Sequence, residues 1–386
     1  SKVLQIKVGS DKEAASLAKK ILRWGNYDRY RLYNVDVPSS QMYLYEKNLF
    51  PLASVEATAE QGKVSWRLLD SAEDTDYSLP RFRVARLSLE TIKEKTIRTF
   101  NDKLARITIA LDDKSLVVDS DSEVEKLLKF VAIFNELNPD IVITEDGDSF
   151  LFPYLSHRAA VNEISQKLKL GREGAPLHIS EVKGGSYLSY GRVYYRSSAA
   201  RLLGRMHIDE GNASLYADCG LEGFIEVART CKIPFQRASR STIGTSMTSL
   251  QLYQAVKDDI LIPWNKNETE DFKDGLELLL ADRGGFIFEP KTGIYDSVGE
   301  IDFSSLYPTL MMTKNLSAET VNCSCCPDSP NRVPELGYNI CHKRTGIVPK
   351  TLRILLEKRA EYKRFKKEAK DPPLKEMYDR RQAALK

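Results

Sequence analysis

The stretch Glu300-Ile301-Asp302-Phe303-Ser304-Ser305-Leu306-Tyr307-Pro308-Thr309-Leu310-Met311 decides how the chain is read. Val298 to Phe303 reads as a short apolar strand with one carboxylate, Asp302, near its C-terminal end. Ser304 to Pro308 is then a turn where the chain leaves a sheet, and Leu310-Met311-Met312 begins a helix. A carboxylate at a strand end, followed by a tight turn of free backbone N–H groups, suits one task. The acid holds a divalent cation while the amides hold phosphate oxygens that share it. By spacing alone, the same residues also describe a buried strand whose Asp N-caps the next helix.

The wording of the stretch separates these readings. Asp302-Phe303-Ser304-Ser305-Leu306-Tyr307-Pro308 resembles motif A of the family B DNA polymerases. Gly284-Gly285, Glu289-Pro290 and Gly293-Ile294-Tyr295 precede it at that family's distances. The resemblance implies that Asp302 is one of two palm aspartates holding a catalytic Mg²⁺ pair. It implies that the turn amides from Phe303 through Ser304 and Ser305 to Leu306 grip the incoming triphosphate. Tyr307 would lie under the sugar and exclude a 2′-OH.

With 386 residues, 42% hydrophobic and 29% charged, the chain has the composition of a globular protein of two or three domains. No apolar run approaches a membrane span and the N-terminus has no signal-peptide pattern, so a cytoplasmic, nucleoid-associated protein without a membrane partner is expected. The net charge of +3 hides an asymmetry: Lys350 to Lys386 holds 13 Lys/Arg against 6 Asp/Glu, leaving residues 1–349 at −4. Such a run is ordinarily a solvated helix face. Here it falls where phosphate binding is expected, which favours function.

That basic segment is a predicted helical hairpin. Thr345-Gly346-Ile347-Val348-Pro349 leads into a helix with Leu352, Leu355 and Leu356 on its apolar face, and Asp371-Pro372-Pro373 separates it from a second helix starting near Leu374. Arg359 and Lys363 are four apart and project together. The hairpin resembles the fingers of the same family, and Arg381-Gln382-Ala383-Ala384-Leu385-Lys386 resembles the opening of motif B. By that resemblance Arg359, Lys363 and Lys386 are the cations on the incoming dNTP, stabilising charge as pyrophosphate leaves. The family continues with the rest of the palm, its second metal-binding aspartate and a thumb that wraps duplex DNA. The 386 residues hold none of these, so the chain alone is expected not to extend a primer. A second polypeptide or a missing C-terminal region would complete it on primer–template DNA.

Upstream, Arg81 to about Trp264 reads as an α/β domain. Strands at Val84–Leu89, Arg106–Leu111 and Leu116–Val118 precede a helix opened by the capping-box pattern Ser122-Glu123-Val124-Glu125, and Ile141–Thr144 is the next strand. Order and wording resemble the ribonuclease-H-like 3′–5′ exonuclease domain of the family. The chemistry does not follow the scaffold, because two-metal hydrolysis needs several converging carboxylates. Where the family's first motif has Asp-x-Glu, the chain has Ser88-Leu89-Glu90; the second motif's Asp is Leu151; and the third, in register Tyr216-Ala217-Asp218-Cys219-Gly220, has Gly220. Glu90, Asp146, Asp148 and Asp218 remain as carboxylates that would hold at most one weak ion. No proofreading is expected.

Nearer the N-terminus, Asp11 to Trp24 reads as an amphipathic helix, and Leu32–Pro38 and Gln41–Glu46 as strands around a Pro-Ser-Ser turn. The latter wording also resembles the N-terminal domain of archaeal family B polymerases. The polar, basic loop Arg237–Ile243 reads as a solvated connector in preference to a contact with a DNA backbone. Cys323, Cys325, Cys326 and Cys341 leave three states open: a tetrahedral Zn²⁺ site or an iron–sulfur cluster, disulfides, or free thiols. Adjacent Cys325 and Cys326 seldom face one ion, so His342 is a substitute ligand.

The expected fold class is therefore α/β and α+β multidomain: an N-terminal β-rich domain (1–78), a ribonuclease-H-like exonuclease-type domain without activity (79–264), a partial palm with the cysteine cluster (265–345) and a helical-hairpin fingers segment (346–386). Three functions compete. The first is a fragment or the larger piece of a split family B DNA polymerase, resembling the divergent archaeal branch with degenerate proofreading and hence repair or lesion bypass. The second is a non-catalytic polymerase relative that binds DNA or assembles a complex. The third, an exonuclease, is opposed by Ser88 and Leu151.

Overall fold

A computed structural model describes residues 2–92, 97–112, 114–179, 185–189, 192–196, 199–264, 272–281 and 287–386. The Gly284-Gly285 pair and the polar stretch 265–271, at the start of the expected partial palm, lie outside the described residues. The chain divides into two compact units. One comprises Ser1–Leu49, Thr248–Arg364 and Leu385; the other comprises Phe50–Met247, Phe365–Ala384 and Lys386.

The first unit begins with α1 (Asp11–Trp24), the helix that the sequence predicts, with Ser10 accepting a hydrogen bond from the Glu13 N–H as its N-cap. The strand expected at Gln41–Glu46 is instead helix α2 (Ser39–Glu46), started by Pro38. Its reason is tertiary: Gln41 and Tyr45, one turn apart, are both buried and bond to Ser249, the Tyr45 hydroxyl donating to its carbonyl at 2.9 Å. Of the strand expected over 32–38, what forms is a bridge of Tyr33 to Pro263, flanked by Asn34 N–H to Ile262 O (2.8 Å) and Trp264 N–H to Leu32 O (2.9 Å).

The second unit is built on one mixed sheet. A hairpin, β1 (Val55–Glu60) and β2 (Lys63–Leu68), precedes it. Then come β3 (Val84–Ile92), β4 (Lys103–Leu111) and β5 (Lys114–Val118), helix α3 (Glu123–Leu137), β6 (Ile141–Thr144), a π-helical turn over Gly147–Leu151 and α4 (Phe152–Val161). Short pieces follow: β7 (His178–Ile179) pairs with β10 (Ala200–Arg201), and β8 (Gly185–Ser189) with β9 (Arg192–Arg196). Strand β11 (Met206–Asp209) closes a five-stranded sheet of order β11-β6-β3-β4-β5, with β11, β6 and β3 parallel and β4 and β5 antiparallel.

Alternation along β3 sends Ala85 and Leu87 into the core and leaves Arg86, Ser88 and Glu90 exposed. Helix α3 covers the buried face with Leu127, Phe130 and Phe134. The predicted capping box does not form. Ser122 makes no side-chain cap, and Glu125, the residue that would reach back to the Ser122 N–H, instead accepts from the Ser120 hydroxyl, while Glu123 takes the Leu104 N–H (2.8 Å) and Arg158.

Five further helices are α5 (Ser214–Thr230), α6 (Phe235–Ala238), α7 (Ile243–Lys257), α8 (Gly275–Ala281) and α9 (Leu306–Thr313), before α10 (Ile347–Glu368) and α11 (Pro372–Ala384). The predicted break at Asp371-Pro372-Pro373 separates the last two. In the first unit Lys350 at the start of α10 pairs with Asp258 just after α7 at 2.7 Å. No helix of the described residues is long and apolar enough to cross a membrane.

Candidate functional site

The strand expected over Val298–Phe303 is not a strand. These residues belong to no helix or strand and are exposed, Ile301 at 95% and Phe303 at 72%, and none of the described residues pairs with them. A lone extended segment gives up its backbone hydrogen bonds to water, so without a neighbouring strand nothing holds it in a sheet. The helix also starts earlier than expected, at Leu306, because Ser305 adopts a left-handed backbone (φ 54°) that turns the chain sharply at the end of the Asp302 segment.

That turn has a cationic partner. Arg359 Nη1 donates to the Ser305 hydroxyl at 2.7 Å, so the guanidinium on α10 sits against the turn three residues after Asp302. Its Nε is buried without a hydrogen-bond partner among the described residues. A guanidinium N–H left unmet in a protein interior marks a place where an anion would be stabilised. Asp302, Ser304 and Tyr307 are exposed, Tyr307 at 65% on the first turn of α9. Lys363 lies one turn beyond Arg359 on α10 and is half-buried. Asp302, Phe303, Ser304, Ser305, Leu306, Tyr307, Arg359 and Lys363 share the first unit, and Lys386, exposed, belongs to the second.

The exonuclease-type positions of the second unit do not converge. Ser88 and Glu90 are on the exposed face of β3, with Glu90 paired to Arg106 at 2.7 Å. Leu151 is 2% exposed and packs in the hydrophobic core. Gly220 kinks α5 with a backbone (φ 63°, ψ −171°) that favours glycine, and the space a Cβ would take is filled by the Arg380 guanidinium. Each remaining carboxylate except exposed Asp218 is neutralised by an arginine: Asp146 by Arg98, Asp148 by Arg240. Among the described residues they form no group arranged to hold a metal.

The sequence reading missed what these carboxylates build. Asp148, 1% exposed, receives Arg240 through Nε (2.8 Å) and Nη2 (3.0 Å) and the Ala200 N–H (2.9 Å). Arg240 also reaches His207 Nδ1 at 2.7 Å, and His207 Nε2 meets the Thr144 hydroxyl at 2.9 Å. Asp209 accepts from the Gly147 and Asp148 N–H groups at the π-helical turn. Burial, reinforced by Arg240, pushes His207 down to about 4, so it is neutral. Burial raises Asp209 to about 6 against the pull of its backbone donors. Arg240 is thus no solvated connector residue, as the loop Arg237–Ile243 was read. The visible signal was a His and an Asp on alternate positions of a strand end.

A second missed cluster holds α11 to α5 within this unit. Tyr77 is sandwiched by Arg229 (3.8 Å to the ring centroid) and Arg381 (4.3 Å), and its hydroxyl donates to Glu226 at 2.6 Å. Arg381, 4% exposed, pairs with Glu222 at 2.9 Å, and Arg229 with Asp70 at 2.7 Å. Burial and the Glu226 carboxylate raise the Tyr77 hydroxyl well above its usual range.

The four cysteines after α9 do converge. Cys323, Cys325, Cys326 and Cys341 place their sulfurs within 4.8 Å of one another, and all are free thiols. The adjacent pair, expected to diverge, does not: a turn at 324–325 breaks the alternation of a strand, and both sulfurs lie 3.6 Å from Cys341 Sγ. His342, the expected substitute, instead meets the Ser329 hydroxyl at 3.3 Å. Burial pushes the Cys341 thiol up, but the N–H groups of Arg344 and Lys343 and the neighbouring thiols outweigh it and bring it to about 6.

Comparison with known proteins agrees with this architecture. The description "DNA polymerase family B" matches residues 233–386, and "DNA polymerase family B, exonuclease domain" matches residues 93–212. The chain is 26% identical over 400 residues to a DNA polymerase of Pyrococcus glycovorans, and 27% over 404 residues to one of Thermococcus sp. (strain 9oN-7), each match covering 92% of this chain and 49% of the relative. Its fold is similar to that of the family B DNA polymerase from the hyperthermophilic archaeon Pyrobaculum calidifontis, with a TM-score of 0.71, 22% identity, and coverage of 97% of this chain and 55% of that one. The chain spans about half the length of the curated relatives it matches. With exonuclease-domain and polymerase sequence both present and archaeal relatives along nearly all of its length, the chain belongs to the family B DNA polymerases.

Proposed function

We propose that the chain supplies the triphosphate-gripping half of a DNA-directed DNA polymerase active site and adds dNTPs to a primer 3′-OH when the rest of the palm is present. The observation that carries this is the Arg359–Ser305 bond, with the buried, unmet Arg359 Nε beside the turn after Asp302. In this reading the 3′-oxygen attacks the α-phosphorus, the bond to the β-phosphate breaks, and pyrophosphate leaves toward Arg359 and Lys363. Free amides at the Phe303–Leu306 turn orient the triphosphate, and Tyr307, exposed at the head of α9, lies under the sugar and excludes a 2′-OH. Mg²⁺ bound at Asp302 would polarise the reacting phosphate. One exposed carboxylate fits half of a two-ion site, and the second comes from palm sequence outside these residues, on this polypeptide or a second one. An ion held by the four thiols is structural in this reading, because four sulfur ligands leave no open position.

The domain assignment follows the sequence reading: residues 1–78, an exonuclease-like domain over 79–264, a partial palm over 265–345 and fingers over 346–386. Proofreading is absent in this proposal, supported by exposed Ser88, core-buried Leu151 and arginine-neutralised Asp146 and Asp148. Synthesis without proofreading suits short repair or lesion-bypass tracts on primer–template DNA. Primer extension with Mg²⁺ and dNTPs tests the proposal, using the chain alone and then mixed with a polypeptide carrying the remaining palm and thumb. Extension by the mixture, lost on Asp302→Ala, is the expected result. No extension despite demonstrated assembly would replace the enzyme with a non-catalytic DNA-binding or assembly subunit.

A further inference from the structure

Residues 314–346, between α9 and α10, contain no helix and no strand beyond isolated bridges of Val321 to Ile340 and Arg332 to Asn339. Their buried cluster consists of three cysteines, Cys323 (7% exposed), Cys326 (4%) and Cys341 (2%). A segment of this length whose buried apolar side chains are these cysteines and Ile340 has too little apolar burial to offset its conformational entropy. Something other than hydrophobic packing must hold it.

The sulfur geometry says what. Cys325 and Cys326 are 3.5 Å apart at Sγ, and each is 3.6 Å from Cys341 Sγ. Three near-equal separations are the face of a tetrahedron. Four thiolates at the Zn–S length of about 2.3 Å span edges of roughly 3.8 Å. A disulfide would draw one pair to about 2.05 Å and leave the others unequal. A [4Fe–4S] cube would hold its four thiolates further apart, each outside its own corner.

The surrounding bonds say what the site does. Asn315, just past α9, donates from Nδ2 to Cys341 O (2.8 Å) and Arg344 O (2.9 Å) and accepts the Gly346 N–H (2.9 Å). Glu319 accepts the first N–H of α10, from Ile347, at 2.6 Å. Asn339 donates to the carbonyls of Cys323 (3.0 Å) and Cys326 (2.8 Å), fixing the loop that carries three of the thiols. The thiol cluster therefore lies in the one connection that ties the C-terminal end of α9 to the N-terminal end of α10. The Arg359–Ser305 bond ties the same two helices at the other end of α9.

We infer that Cys323, Cys325, Cys326 and Cys341 bind one tetrahedral Zn²⁺ that braces α9 against α10 and thereby sets Arg359 against the turn after Asp302. The bracing role rests on the polymerase reading only for what Arg359 binds; the metal site does not. Elemental analysis of the purified chain should find one zinc per chain, falling at least ~10-fold in Cys323→Ser and Cys341→Ser. Because these variants can unfold, a second measurement uses the wild-type chain. Chelation followed by Co²⁺ titration should give intense tetrahedral thiolate–cobalt absorption that saturates at one equivalent and is reversed by Zn²⁺. Hydrogen exchange then reads the brace. On chelation, protection should fall over the Asn315–Gly346 loop and the first turn of α10, and stay unchanged in β3 and β6 of the other unit. One iron per chain with visible absorption as purified would replace zinc by a rubredoxin-type iron. Absence of metal with four titratable thiols, or a cobalt spectrum without thiolate bands, would overturn the site. Metal bound but unchanged exchange at α10 would overturn the brace while leaving primer extension to be judged by its own assay.

Discussion

Leu151→Asp would place a carboxylate at the position where the exonuclease-type motif has one, and the fold should reject it. Leu151 is 2% exposed and sits in the core that contains Ala85, Leu87 and Phe152. Shortening a buried leucine costs about 2.7–5 kcal/mol through lost transfer energy and residual cavity. Desolvation then raises the new carboxyl by about 2–3 pKa units, which at 1.36 kcal/mol each adds roughly 3–4 kcal/mol at pH 7. Together that is about 7 kcal/mol, comparable to the whole stability of many domains. The sign follows from linkage: an acid whose folded pKa is raised destabilises once it must ionise, so the penalty grows as pH rises from about 4 through the raised value. Urea denaturation followed by circular dichroism at pH 4 and pH 7 measures both parts. Leu151→Asn is the control that keeps the packing loss and lacks the pH dependence. A loss below ~1 kcal/mol at pH 7 with no pH dependence would show position 151 to be solvated. Mg²⁺-dependent exonuclease activity from the single substitution would refute the claim that the site is lost.

Other expectations come from the second unit. His207 and Asp209 oppose one another: His207, held at about 4 against an ordinary 6.5, loses stability as pH falls through that window, whereas Asp209, raised from 3.8 to about 6, loses it as pH rises. Relative to the wild type, Asp209→Asn should gain about 3 kcal/mol between pH 4 and 6.5 and His207→Gln should show the reverse trend; matching pH profiles would contradict the assignment. A double-mutant cycle of Tyr77→Leu with Arg381→Ala should give a coupling of ~0.5–2 kcal/mol, and additivity would remove the stacked pair from the account. Gly220→Ala must take a left-handed backbone and displace Arg380, so a loss of about 1–3 kcal/mol by denaturant unfolding is expected, and a loss that Arg380→Ala leaves unrelieved would contradict the packing of α11 on α5.

What the sequence made legible was periodicity and wording. Helix α1 and strand β6 lie where residue spacing puts them, because an amphipathic face and a four-residue apolar run each leave one choice. The Asp302 segment was legible as a motif and not as a strand, since a strand is a property of a pair and its partner is not among the described residues. Tyr43 and Tyr45 favour a strand locally, yet Ser249, some two hundred residues away, decides for α2 through Gln41 and Tyr45. The same distance hid the Asp148–Arg240–His207 network: three ordinary polar residues become one buried group only when β6, β11 and the loop before α7 meet. The cysteines were visible as a cluster. Their convergence was not, because it depends on a turn between Ser324 and Cys325 that residue types do not dictate.

In the proposed function Asp302 holds the catalytic cation of a nucleotidyl transfer whose triphosphate is gripped from Arg359. Single-turnover primer extension by the chain assembled with the remaining palm and thumb, wild type against Asp302→Ala at saturating dNTP, tests it most directly. The rate should fall about 10³-fold or more, with primer–template affinity unchanged, since one electrostatic stabiliser of the transition state is worth several kcal/mol. Extension at an undiminished rate by the Asp302→Ala assembly would contradict it.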